Sequence, residues 1–177
     1  MPAMQPGRGG FVLFAYHLCK WWAIGGGVIL FGIVAVNVVS VVGLAIWRSP
    51  IPGVYEIVQI GAAVAMFMML PYCQITGSNV SADIFTASLR PRTITILAGI
   101  GALLGAVFGL FLIWRMGHGL KDVYVYRETT AIYQFPVWIA YVPTLLSLAL
   151  FVLAAIANMV QTAQGVLPEQ VDHDATA

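Results

Sequence analysis

Charge is what this sequence has least of. Only 8% of its 177 residues are charged, against 60% that are hydrophobic. Soluble domains carry about 25% charged residues, so the composition excludes an ordinary water-soluble fold and points to lipid as the solvent. Lys and Arg outnumber Asp and Glu by 8 to 7, a net charge of +1. No basic stripe is left over to neutralise phosphates, which argues against nucleic-acid binding. Cysteine is nearly absent: Cys19 and Cys73 each stand alone in an apolar run. That pattern excludes a disulfide framework and the paired thiols of a quinone-linked oxidase. The 3 histidines are His17, His118 and His173, and no two share a span, so no pair could clamp a haem iron. Metal-type clusters, a Ser-His-Asp arrangement and a phosphate-cradling glycine loop are not found either. The sequence therefore offers no catalytic residue, no cofactor site and no metal site, and reads as something other than an enzyme.

What is there is apolar length. A helix needs about 20 mostly apolar residues to cross about 30 Å of hydrocarbon. Stretches 23–47, 54–76, 93–114 and 136–160 each qualify, which gives an all-α integral membrane protein with four transmembrane helices. On a wheel of about 100° per residue, Phe11, Phe14, Leu18, Trp21 and Trp22 share a broad face opposite His17 and Lys20. This predicts a short interfacial amphipathic helix over 11–22, lying in the membrane surface before the first span. Residues 11–162 then form one membrane domain, with disordered ends at 1–10 and 163–177. The first long apolar stretch exceeds a signal-peptide core and lacks a convincing cleavage site after it.

Within the spans, Asn37 and Ser40 form a polar pair read as interhelical hydrogen-bonding groups. Gly101, Gly105 and Gly109 recur every four residues beside Ala98, Ala102 and Ala106. Small residues at that spacing let a second helix backbone come close, within this chain or from a partner. Glu56 stands in the first turn of the second span, where an acid complements the helix dipole. Arg115, His118, Lys121, Asp122, Arg127 and Glu128, interleaved with Tyr124, Tyr126 and Tyr133, make 115–134 the most charged connection.

Four segments in order carry a resemblance. They are Gly53-Val54-Tyr55-Glu56 opening the second span and Thr76 to Asp83 (TGSNVSAD) after it. Next comes Leu89-Arg90-Pro91-Arg92 before the third. The last is Glu128-Thr129-Thr130 with Phe135-Pro136-Val137-Trp138 and Tyr141-Val142-Pro143 at the fourth. In this order and spacing the chain, over about residues 20–162, resembles the small membrane subunit of tripartite ATP-independent periplasmic (TRAP) transporters. Tyr55, Glu56, Asp83, Arg90, Arg92, Glu128, Pro136 and Trp138 are its motif positions, and Asn79 stands where the family often has His.

The resemblance implies a large membrane subunit as partner, which holds the substrate and sodium sites, and a periplasmic binding protein that delivers a small organic acid. This chain would be a lipid-embedded scaffold in the bacterial inner membrane. Lys and Arg divide evenly between the two sides: Arg8, Lys20, Arg90 and Arg92 against Arg48, Arg115, Lys121 and Arg127. The positive-inside rule therefore gives no orientation. The resemblance implies cytoplasmic termini, with 48–53 and 115–134 facing the periplasm. Arg48, Arg115, Lys121 and Arg127 are then candidates for docking the binding protein, and ordinary interface anchoring is the plainer role for them. The other readings are an unrelated four-span scaffold or assembly protein, and a small four-helix membrane enzyme, which would need a polar pocket the sequence does not display.

Overall fold

The computed structural model describes residues 10–48, 51–76 and 91–163, of which 47, 91–95 and 163 are described by their backbone alone. Four helices make up the described chain: α1 (Gly10–Trp47), α2 (Val54–Ile75), α3 (Pro91–Val125) and α4 (Trp138–Ala163). All four are long and apolar enough to cross a membrane. The expected disordered ends lie outside the described residues, except that Gly10 already belongs to α1.

The separate surface helix over 11–22 is not shown. α1 runs unbroken for 38 residues, about 57 Å at 1.5 Å per residue, nearly twice the thickness of the hydrocarbon. Nothing between Trp22 and Ala23 could break it, and the Gly25-Gly26-Gly27 run that follows is used for contact. A Cβ on Gly26 would stand 2.9 Å from Met68 Cβ and 3.0 Å from the Ala65 carbonyl oxygen of α2. Close helix approach, not a hinge, is what these glycines supply. The aromatic face read from the wheel also turns outward: Phe14 and Trp21 are exposed, while Val12, Ala15, Tyr16 and Cys19 are buried.

Burial along α1 has a seven-residue period: Val12, Cys19, Gly26, Ile33 and Ser40 are all buried. A 3.5-residue average repeat keeps one seam facing a partner helix as the two wind left-handedly. That partner is α2, where Ile33 lies against Gly61. α2 packs in turn on α4, and α3 packs on α4, so the spatial order is α1, α2, α4, α3 with only slight contact between α1 and α4. The two inner helices carry most of the buried residues, and α1 and α3 leave long apolar faces uncovered.

At one end of the bundle Ala15, Tyr16, Cys19, Ile75, Ala154 and Ala157 form the core. Nearby, the Trp22 indole donates to Ser147 Oγ at 2.9 Å, and Ser147 donates to the Pro143 carbonyl at 2.7 Å. Two polar side chains missed in the sequence lie at this end. Asn158 of α4 donates to the Gln74 carbonyl of α2, and both residues are buried.

Candidate functional site

The other end of the bundle carries the α1–α2 turn and the α3–α4 connection, and their contact starts from a glycine. Gly53 precedes α2 with φ 74° and ψ 7°, the left-handed region, which a residue with a Cβ enters at a cost of roughly 1–2 kcal/mol. Its missing side chain matters as well. A Cβ there would stand 2.5 and 2.8 Å from the ring carbons of Tyr133, eighty residues on in the α3–α4 connection.

That connection is a short hairpin. The Glu128 amide donates to the Val123 carbonyl at 3.1 Å as α3 ends, and the Val137 amide donates back to the Glu128 carbonyl at 3.1 Å. Thr129 and Pro136 form an antiparallel bridge. The amide of Thr130 donates to the Phe135 carbonyl at 3.0 Å, and the amide of Phe135 donates to Thr130 Oγ1 at 3.0 Å. Pro136 fits the bridge because its ring nitrogen has no proton to leave unpaired.

Glu56 holds the tip of this hairpin. Its Oε1 accepts from the Ile132 amide at 2.8 Å and its Oε2 from the Tyr133 amide at 3.2 Å. The Tyr133 hydroxyl donates to the Pro52 carbonyl at 2.7 Å, and Ser40 Oγ accepts from the Ile51 amide at 3.3 Å. One carboxylate therefore clasps the α1–α2 turn to the α3–α4 hairpin. It satisfies two tip amides that have no partner within so tight a turn. By sequence alone Glu56 is an acid that complements a helix dipole; its partner lies 76 residues away and leaves no local sign.

The structure brings two of the four motif segments together here. Glu56 meets the tip of the segment bounded by Glu128 and Trp138, and Tyr55 beside it is 78% exposed. Asp83 and Arg90 lie outside the described residues, and Arg92 falls in α3 with its backbone alone described. The docking candidates take three kinds of place. Arg48 follows α1 and Arg127 follows α3, both exposed and both at φ 51°. Arg115 and Lys121 are exposed on α3 itself, which continues to Val125 through a stretch read as loop. The extension is held against α4: the Tyr124 and Trp138 rings meet edge to face at 6.1 Å, and Gly119 abuts Tyr141.

The glycine stripe divides. A Cβ on Gly109 would stand 2.8 Å from Val152 and 2.9 Å from Phe151 of α4, and one on Gly105 would stand 3.2 Å from Gln74 of α2, whereas Gly101 opens on free space. Two of the three thus face this chain's own bundle. Among the described residues no three His, Cys, Asp or Glu side chains come together as a metal site would require.

This end of the bundle can bind and position, and among the described residues it holds no nucleophile beside a base. It offers a clasped hairpin, the exposed cations Arg48, Lys121 and Arg127, and exposed tyrosines at positions 55, 124 and 126, with Arg115 exposed farther down α3. Comparison with known proteins accords with that. The family model described as tripartite ATP-independent periplasmic transporters, DctQ component, matches residues 30–165. No curated protein and no solved structure matches the chain.

Proposed function

The chain belongs to the DctQ component family of tripartite ATP-independent periplasmic transporters, and from that premise we propose that it braces the large membrane subunit during sodium-driven, binding-protein-dependent uptake of a small organic acid. As a member of this family with four apolar helices it is a multi-pass inner-membrane transporter component, not an enzyme. In the proposed orientation both termini are cytoplasmic and the clasped hairpin is periplasmic.

The observation that carries the reading is the clasp. A free loop would yield when a soluble partner landed on it. A hairpin pinned by Glu56 and Tyr133 fixes the end of the bundle, and on that frame stand Arg48 after α1, Arg115 and Lys121 on α3, and Arg127 at the root of the hairpin. Exposed charges on such a frame steer encounter and set register with an acidic partner surface. Gly101, the one member of the glycine stripe with open space before it, is left as a packing position for another subunit.

The test is to co-express this chain with the large subunit and measure binding-protein-dependent uptake with and without a sodium gradient. Arg48→Glu or Lys121→Glu lowers uptake while the amount of assembled complex stays unchanged. Unchanged uptake in both variants would remove the docking role, and uptake indifferent to sodium would remove the proposed coupling.

A further inference from the structure

The charges that bound the apolar runs of α1 and α3 do not lie level with one another. No charged residue stands between Lys20 and Arg48, and none between Arg92 and Arg115. At 1.5 Å per residue these runs are about 40 Å and about 33 Å long, each enough to cross the hydrocarbon. Contacts between the helices fix how the runs are offset. Ser40 accepts from the Ile51 amide just before α2, so Arg48 stands about 12 Å beyond the start of α2. Gln74 and Asn158, joined by a hydrogen bond, lie equally far into α2 and α4, so those two helices begin level. Gly109 abuts Phe151 and Val152, and Gly119 abuts Tyr141. Arg115 is thereby set beside Leu145 and Leu146, about 11 Å below that common start. At the other end Tyr16 meets Tyr72, and Gln74 meets Gly105. Lys20 is therefore level with Gly105, about 20 Å from Arg92 along α3. The α1 run is displaced from the α3 run by about 20 Å at both ends and in the same sense. Glu56 and Trp138, on the two helices between, stand at intermediate heights.

Upright helices would leave this offset unmet. Lys20 and Arg115 are both exposed and only about 15 Å apart along the axis, half the hydrocarbon thickness, so a cation would sit among lipid tails. Long cationic side chains can snorkel, and the Lys20 ammonium does lie back over the Tyr16 ring, 5.9 Å from its centroid. Arg115 would have to reach the opposite way, against the lean of helical side chains toward the N-terminus. Val41, Leu44 and Ile46, all more than half exposed, would meanwhile stand bare in water beyond the start of α2.

We propose that the bilayer crosses the bundle obliquely, the helices leaning by about 35° in the plane of the row α1, α2, α4, α3. An offset of about 20 Å spread over three interhelical steps of about 8–10 Å gives that angle. It falls within the range of roughly 0–40° found for membrane helices. The partner this surface fits is a lipid leaflet on each side. Phosphates of one leaflet meet Arg48 and Arg115, and those of the other meet Lys20, with Arg92 at that same level. Val41 to Ile46 then lie in hydrocarbon, while Lys121 and the hairpin stand clear of it. The inference rests on the four spans and not on the transport reading.

The experiment compares residues at equal height on the two outer helices. Val41 and Val125 are one such pair and Trp21 and Leu104 the other, all four more than half exposed. A nitroxide amino acid replaces each in turn in the full chain, reconstituted in vesicles of phosphatidylethanolamine and phosphatidylglycerol. Its depth is read from accessibility to oxygen against a water-soluble nickel complex. Position 41 should lie about 15 Å deeper than 125, and 104 about 15 Å deeper than 21, as about 25 Å of separation at that lean gives. Where a label prevents folding, amide I infrared dichroism of the unlabelled chain in oriented bilayers reads the same lean, with a mean of about 35° expected. A depth difference under half the expected value in either pair, or a mean lean below about 20°, overturns the inference and leaves the transport reading untouched.

Discussion

Replacing Gly53 with alanine tests the clasp most sharply, because two separable costs meet at one atom. The first is conformational. With φ at 74° the alanine sits in the left-handed region, at roughly 1–2 kcal/mol. The second is contact. The new Cβ would stand 2.5 Å from the Tyr133 ring, and that ring is tethered through its hydroxyl to the Pro52 carbonyl. Moving the ring away gives up a hydrogen bond whose net worth is about 0.5–1 kcal/mol at an exposed position. The total is about 2 kcal/mol, read by equilibrium unfolding in mixed detergent micelles. Tyr133→Ala alone loses only the tether, and combining it with Gly53→Ala removes the collision. The double variant should therefore be more stable than the sum of the singles predicts, by about 0.5–1 kcal/mol. Strict additivity would show that the ring and the turn do not touch. A neutral Gly53→Ala would refute the left-handed turn itself.

Other expectations follow from the same geometry. Glu56→Ala leaves the Ile132 and Tyr133 amides without acceptors, so limited proteolysis after Arg127 should speed up markedly while the helices stay folded. Cleavage at the wild-type rate would mean the carboxylate is dispensable. Gly26→Ala forces α1 off the Ala65 carbonyl and should lower stability by about 1–3 kcal/mol. Gly27→Ala, which meets only the mobile end of Met69 at 3.9 Å, should be neutral or slightly stabilising, and equal effects on thermal melting would contradict the packing described. Trp22→Phe removes the donor to Ser147 and should cost about 1 kcal/mol, while Trp21→Phe, at an exposed position, should cost little on the same scale.

Much of the architecture was legible because lipid imposes a simple requirement: an unbroken apolar run long enough to cross. Four such runs are visible in the sequence, and four helices stand there. Helix ends were less legible. Trp21 and Trp22 read as the end of a surface helix, but nothing chemical interrupts the backbone there, so α1 continues through them. At Arg115 the charges suggested water and hence a loop, yet packing of Gly119 on Tyr141 and of Tyr124 on Trp138 keeps α3 helical. Asn37 and Ser40, paired by their spacing, part company in space, because three residues subtend about 60° short of a full turn. Gln74 and Asn158 went unnoticed because single polar residues in apolar runs carry no periodic signal, and their partnership spans two helices. The Glu56 clasp shows the same limit. The acid was noticed; its partners could not be, since amides of the backbone leave no mark in a sequence.

The clasp also sets how force passes through the molecule. Glu56 stands in the first turn of α2, which runs 22 residues, about 33 Å. A push on the hairpin tip is delivered to the root of that helix through a carboxylate and a tyrosine, with little slack to absorb it. Tilting α2 by about ten degrees about its root would sweep its far end by about 6 Å, and α4 packed alongside would be dragged with it. Stiffness at one end thus becomes travel at the other, and in the proposed orientation a soluble protein docking on the hairpin would have a mechanical route to the opposite end of the bundle.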